Sequence, residues 1–296
     1  MDIRNLEGSI VALVTPFDAE GNVDFDALGR LVDFHIAQGT DGILTLGTTG
    51  ESSTMTDEED DAVCAFVVER VAGRVPVIAG SGSNSTATML AKSLSYQRLG
   101  ADGLLIITPY YNKANEEGIY RHLATVADAV DVPCIVYNIP GRTGCSVSVR
   151  NVERLAEHGN IMGIKEASGS ISYASDIAHV LGPDFRMYSG NDDMVVPLLS
   201  LGASGVISVW ANVQPALVHE MVAAWFAGDV ARARQIQIEG LPLVHALFSE
   251  VNPIPVKEAL AQIGMLEANY RLPLCPMADA TREHLTETMK GAGLLD

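Results

Sequence analysis

The chain has 296 residues, 48% hydrophobic and 19% charged, a balance that suits one or two folded domains with a sizeable core and excludes a mostly disordered polymer. A formal net charge of -18 repels phosphate backbones and anionic lipid, so neither nucleic acid nor a membrane is an expected partner. Cys64, Cys134, Cys145 and Cys275 stand far apart with no CxxC pair, which reads as reduced thiols of a cytoplasmic protein.

Met1 to Gly8 is polar and lacks the apolar core of a signal peptide. Beyond it, short apolar runs alternate with amphipathic stretches. Strands are expected at Ser9–Val14, Gly42–Leu46, Val75–Ala79, Gly103–Ile107, Val132–Tyr137, Ile161–Lys165, Arg186–Ser189 and Gly205–Ser208. Helices are expected between them at Asp26–Gln38, Asp57–Ala72, Thr86–Leu99, Glu116–Ala129, Ser148–Glu157 and Ser172–Leu181, several opened by Ser, Thr or Asp as N-caps. The acidic run Asp57 to Asp61 complements a helix dipole and is read as a solvated face. The uncharged stretch Met194 to Val218 contains Pro197, Gly202, Gly205 and Pro215, so it reads as a buried strand with flanking helices rather than a membrane span. About eight strand–helix units predict a (β/α)8 TIM barrel, an α/β fold. A doubly wound open sheet is the alternative. It is weakened by Val14-Thr15-Pro16-Phe17, which stands where a Gly-rich dinucleotide loop would follow the first strand. After Gly228 the alternation gives way to helices at Asp229–Ser249, Val256–Gln262 and Thr281–Ala292. The expected organisation is a catalytic barrel over 1–228 and a C-terminal helical extension over 229–296.

The ends of the apolar runs carry the chemistry. They read Gly47-Thr-Thr-Gly-Glu-Ser52, Thr108-Pro-Tyr-Tyr-Asn112, Tyr137-Asn-Ile-Pro-Gly-Arg-Thr-Gly144, Lys165-Glu166 and Ser189-Gly-Asn-Asp192. In a barrel these all lie on the C-terminal face, where such enzymes place catalysis. Turn formation explains the glycines, but not two tyrosines, a lysine and an arginine on one rim. Of five lysines only Lys165 ends an apolar strand. Burial there would favour the neutral amine, a nucleophile for a ketone. A salt bridge to Glu166, or a side chain reaching out along the rim, is the competing reading. Tyr137 closes the preceding strand and could shuttle protons beside Lys165. Thr48 and Thr49 offer hydroxyls and N–H groups to a carboxylate, and Arg142 a fork for a second one. The seven histidines form no HxH or HExxH, so no metal is expected.

Together with Gly163-Ile-Lys-Glu-Ala167, Gly205-Val-Ile-Ser208 and Asn252-Pro-Ile-Pro-Val-Lys257, these motifs resemble the dihydrodipicolinate synthase family of pyruvate-dependent aldolases over essentially the whole chain. The resemblance implies that Lys165 forms a Schiff base with pyruvate and that the resulting enamine attacks L-aspartate 4-semialdehyde, with no dissociable cofactor. It implies proton shuttling by Tyr137, relayed through Thr48 and Tyr111, with Tyr111 crossing to a neighbouring subunit. Thr49 would hold the pyruvate carboxylate, Arg142 the second substrate, and Ile207 would lie beside pyruvate. It further implies a homotetramer built as a dimer of dimers. In relatives a feedback site for lysine lies near Ser52, Ser53, Asn84 and Tyr110. Asp57, Asp60 and Thr88 depart from the lysine-sensitive pattern, so weak or absent inhibition is expected. Two other readings stay open: a Schiff-base lyase for a sugar-derived 2-oxo acid, and a non-catalytic 2-oxo acid binding protein.

Overall fold

The computed structural model describes residues 1–296. Eight parallel strands close into a barrel in chain order. They are β1 (Gly8–Ala12), β2 (Gly42–Thr45), β3 (Val77–Gly80), β4 (Gly103–Ile107), β5 (Cys134–Asn138), β6 (Ile161–Glu166), β7 (Arg186–Ser189) and β8 (Gly205–Ser208). The helices are α1 (Phe25–Ala37), α2 (Asp57–Val71), α3 (Thr86–Arg98), α4 (Glu116–Ala127), the single turn α5 (Pro140–Thr143), α6 (Val149–Ala156), α7 (Ile171–Ile177), α8 (Val195–Ser200) and α9 (Pro215–Phe226). Three more follow the barrel: α10 (Val230–Leu247), α11 (Ile254–Gln262) and α12 (Asp279–Gly291).

The strands are apolar on both faces because both faces are covered. Ile10, Ala12, Leu44, Ile78, Leu105, Ile135, Tyr137, Tyr188 and Ile207 fill the barrel interior. Their outward neighbours, such as Val11, Ile43, Val77, Ile106 and Val136, pack under the helices. Val244, Leu247, Val256, Leu260, Leu285 and Met289 of α10–α12 belong to that same outer core. Capping is present, but only Ser148 and Asp229 cap at the residue where the expected helix begins, and the other caps stand one or two residues earlier. Asp24, Ser85, Asn115, Ser148, Ser170 and Asp229 each accept an N–H of the helix they open. At the seam of the barrel, Asn212 accepts from Val14 N at 3.2 Å and donates to Ala12 O at 2.8 Å, tying the top of β1 to the segment after β8. No helix is long and apolar enough to cross a membrane.

One expectation is corrected. The acidic run is not a uniform solvated face. Asp60 is fully buried and accepts from Lys92 Nζ at 2.5 Å, while Glu59 closes a capping box with Thr56 and pairs with Arg271. The cause is that α2 turns one side of its first turn against α3 and another toward the segment before α12. The Gly-Arg-Thr-Gly loop is a helical turn, initiated by Pro140 at its first position and ended by Gly144 at φ 71°.

Candidate active site

The site is built on a phase change in β6. Cys134 pairs with Ile161, but the next residue, Ile135, pairs with Gly163, so β6 carries one extra residue. A bulge of this kind reverses which side chains face inward. Met162 faces the interior and Ile161 and Ile164 face the helices, which leaves Lys165 inside the barrel. Gly163 makes the bulge possible: a Cβ there would lie 2.2 Å from the Arg186 carbonyl oxygen of β7. Beyond the bulge, Tyr137, Lys165 and Tyr188 stand at one level on three adjacent strands.

Lys165 is buried, with its Nζ 4.4 Å from the centre of the Tyr137 ring. A side chain at Gly190 would come within 3.1 Å of Lys165 Cε, so that glycine leaves the amine its space. Burial pulls the Lys165 ammonium down to about 7, with Asp192 opposing the shift and Arg142 adding to it. The alternative salt bridge to Glu166 is not formed. Glu166 faces away and accepts from Asn138 Nδ2 and Ser168 N, both at 2.7 Å. Tyr137 is also buried, and burial pushes its phenol up to about 12 against the Arg142 charge and a hydrogen bond with Thr48. An amine that is half free at neutral pH thus stands beside a phenol whose proton is held by burial, the pairing needed for attack on a carbonyl and for proton delivery.

Thr48 and Thr49 lie in a tight turn, with Gly50 N donating to Gly47 O at 3.0 Å and Glu51 N to Thr48 O at 3.2 Å. Thr49 is buried and accepts from Asn252 Nδ2 at 2.9 Å. Arg142 is exposed on α5, and its Nη2 donates to Asn252 O at 3.3 Å. Ile207 is buried on β8 in the same interior cluster as Tyr137. Tyr111 is not brought into the site of its own protomer. Its side chain is 93% exposed, on a residue with φ 70°. The Cys145 thiol donates to Pro109 O at 3.1 Å and so links the Arg142 turn to the Tyr111 loop.

Sequence reasoning assigned no role to two residues that the structure puts at the centre. Asp192 is buried and its charge acts on Lys165, with its Oδ2 accepting from Val209 N at 3.0 Å and Trp210 N at 2.9 Å. Asn252 bridges Thr49 and Arg142 from the C-terminal helices. Both stood inside motifs, but nothing in a linear motif says which loop its side chain will meet. No group of three or more His, Cys, Asp or Glu side chains is gathered as a metal site.

The model of the dihydrodipicolinate synthetase family matches residues 5–292. A 4-hydroxy-tetrahydrodipicolinate synthase of Thermoanaerobacter pseudethanolicus is 50% identical over 290 residues, covering 98% of this chain and 97% of the relative. The dihydrodipicolinate synthase structure from Aquifex aeolicus superposes with a TM-score of 0.95 at 46% identity, covering 97% of this chain and 98% of that one. The chloride-inhibited enzyme from Acinetobacter baumannii, solved with pyruvate, gives a TM-score of 0.96 at 43% identity, covering 98% of this chain and all of that one (100%). With an interior lysine, a buried tyrosine and a threonine turn set on a closed eight-stranded barrel, and with this similarity along its length, the chain belongs to the dihydrodipicolinate synthetase family.

Proposed function

We propose that this chain is a 4-hydroxy-tetrahydrodipicolinate synthase, condensing pyruvate with L-aspartate 4-semialdehyde through a Schiff base on Lys165. The observation that carries the reading is the Lys165 amine buried inside the barrel, its Nζ 4.4 Å from the centre of the buried Tyr137 ring. Lys165 Nζ adds to the pyruvate C2 carbonyl. Tyr137 delivers a proton to the carbinolamine oxygen and water leaves, forming the iminium. Loss of a C3 proton gives the enamine, whose C3 adds to the aldehyde of the second substrate. The amino group of the adduct then attacks C2, closes the ring and expels the Lys165 amine. Both substrates are carboxylates. The Thr49 hydroxyl and the neighbouring N–H groups suit the pyruvate carboxylate, and the Arg142 guanidinium at the mouth suits the second.

Thr48 and Tyr111 are read as the proton relay to solvent. The exposure of Tyr111 supports an arrangement in which it serves the site of a second copy, and with it a homotetramer assembled as a dimer of dimers. Ile207 is read as the wall beside the bound 2-oxo acid. Residues 1–228 are read as the catalytic barrel and 229–296 as its helical buttress, in a cytoplasmic enzyme of diaminopimelate and lysine biosynthesis that uses no dissociable cofactor. Reduction with borohydride in the presence of pyruvate, followed by peptide mass spectrometry, tests the mechanism. The expected product is a pyruvate-derived adduct on Lys165, and a folded sample without any adduct refutes it. Turnover with aspartate semialdehyde, against neuraminate and sugar-acid substrates, tests the choice of second substrate.

A further inference from the structure

We propose that Glu51 and Lys257 form a buried positioning pair that sets the pyruvate-facing threonine turn from the C-terminal helices. Lys257 on α11 is fully buried, and its Nζ lies 2.7 Å from Glu51 Oε1 across 206 residues of sequence. The ammonium also sits 4.3 Å from the Phe17 ring centre and 5.4 Å from that of Tyr270, so aromatic faces complete its surroundings. Arg271 adds a second positive charge near Glu51. Neither Glu51 nor Lys257 belongs to the set that faces the substrates.

What Glu51 does is end the turn that presents Thr48 and Thr49. It adopts φ 55° and ψ 28°, a left-handed conformation that a glutamate rarely takes. Its N–H donates to Thr48 O, and its own carbonyl accepts from Thr54 N at 3.0 Å. The preceding Gly50 is wedged: a Cβ there would lie 3.1 Å from Leu46 N, and Thr15 Oγ1 donates to Gly50 O at 2.7 Å. An uncommon backbone conformation persists only where its surroundings hold it. The surroundings that hold Glu51 are the Lys257 ammonium and the wedge under Gly50. Asn252, five residues before Lys257, reaches the same turn at Thr49. The C-terminal helices therefore grip the turn at two points, one polar and one ionic.

A buried ion pair is a poor device for stability alone, since apolar residues of similar volume usually replace it at little cost. Its value here is directional. A charged hydrogen bond fixes where Glu51 sits, and a change of about 1 Å in Thr49 is enough to weaken carboxylate binding. This inference rests on the reading of Thr49 as the pyruvate carboxylate site.

The test compares wild type with the double variant Glu51→Met/Lys257→Met and with Glu51→Gln, which keeps a hydrogen bond to Nζ but not the charge. Thermal melting, hydrogen exchange of the 47–51 amides and KM for each substrate are measured. The double variant is expected to melt close to wild type yet lose exchange protection at 47–51. Its KM for pyruvate is expected to rise about tenfold, well above any change for the semialdehyde. Glu51→Gln is expected to fall between the two in exchange and pyruvate KM, and to melt below both because Lys257 is left as a buried charge without its counter-charge. Wild-type exchange and wild-type pyruvate KM in a folded variant would overturn the proposal. Borohydride labelling of the wild type reports on Lys165 chemistry alone, so its failure and the failure of the pair are read separately.

Discussion

Measuring the rate of imine formation against pH tests the central feature of the site. With its ammonium pulled down to about 7, half of Lys165 is the free amine at neutral pH. An ordinary lysine at 10.5 would offer roughly 1 part in 3,000. Burial thus supplies about a thousandfold more nucleophile at pH 7. The rate of pyruvate-dependent borohydride labelling should climb tenfold per pH unit on the acid side and level off above about 7. Arg142→Ala removes a charge that depresses Lys165, so the plateau moves to higher pH. Asp192→Asn removes one that raises it, so the plateau moves to lower pH. The same shift has a stability consequence. Between about 7 and 10.5 the unfolded chain holds the Lys165 proton and the folded chain does not, so stability rises with pH across that window. Below 7 the burial cost is fully present, about 5 kcal/mol as an order of magnitude. Lys165→Met should therefore melt higher than wild type at acid pH, with no labelling. A labelling rate still climbing steeply at the most alkaline pH, or a Lys165→Met protein less stable than wild type below pH 7, would refute the argument.

Tyr137→Phe should keep the fold and lose about 10²- to 10⁴-fold in kcat, the range for removing a general acid–base; an activity loss under tenfold sinks the assigned role. Arg142→Ala should raise KM for the semialdehyde more than for pyruvate in steady-state kinetics. Gly163→Ala forces a Cβ against the Arg186 carbonyl, so it should lower stability by about 1–3 kcal/mol in denaturant melts and lose labelling as Lys165 is displaced. Lysine titration should inhibit weakly or not at all. Lys92 already occupies Asp60 at 2.5 Å and Asp57 at 3.3 Å, and Thr88 has no carboxylate to offer a lysine ammonium. Strong inhibition at submillimolar lysine would contradict this.

The barrel was legible in the sequence because parallel strands buried on both faces leave short apolar runs, and the helices between them start on Ser, Asp or Asn caps. Strand ends moved by a residue or two, since an apolar run continues past the last ladder bond, as at Leu13 and Val14 beyond β1. The rim residues were legible as chemistry. Their geometry was not. Simple alternation from Ile161 puts Lys165 on the same face as Ile161, under the helices. Only the bulge at Gly163 turns it inward, and a bulge depends on the neighbouring strand. Asn252, Lys257 and Asp192 escaped for a related reason. Each acts across a long sequence separation on a loop that no local pattern connects to it. The buried Asp60 was misread because an acidic run at a helix start looks the same whether one member faces water or a lysine on the next helix.

The net charge of -18 sharpens what the rim must do. Most cationic side chains on the molecule are spent on nearby carboxylates, as with Arg70 and Arg74 on Asp33, Arg154 on Glu117 and Arg271 on Glu59. Lys165 and Arg142 are in no ion pair. The side-chain hydrogen bond of Arg142 runs to the Asn252 carbonyl, which fixes one nitrogen and leaves the rest of the fork for an anion. At physiological salt the field of the outer carboxylates is screened over about 8 Å, whereas charges inside the barrel mouth act at closer range and lower dielectric. A carboxylate that reaches the mouth therefore meets a guanidinium that no protein carboxylate neutralises, because Asn252 holds Arg142 through a backbone carbonyl.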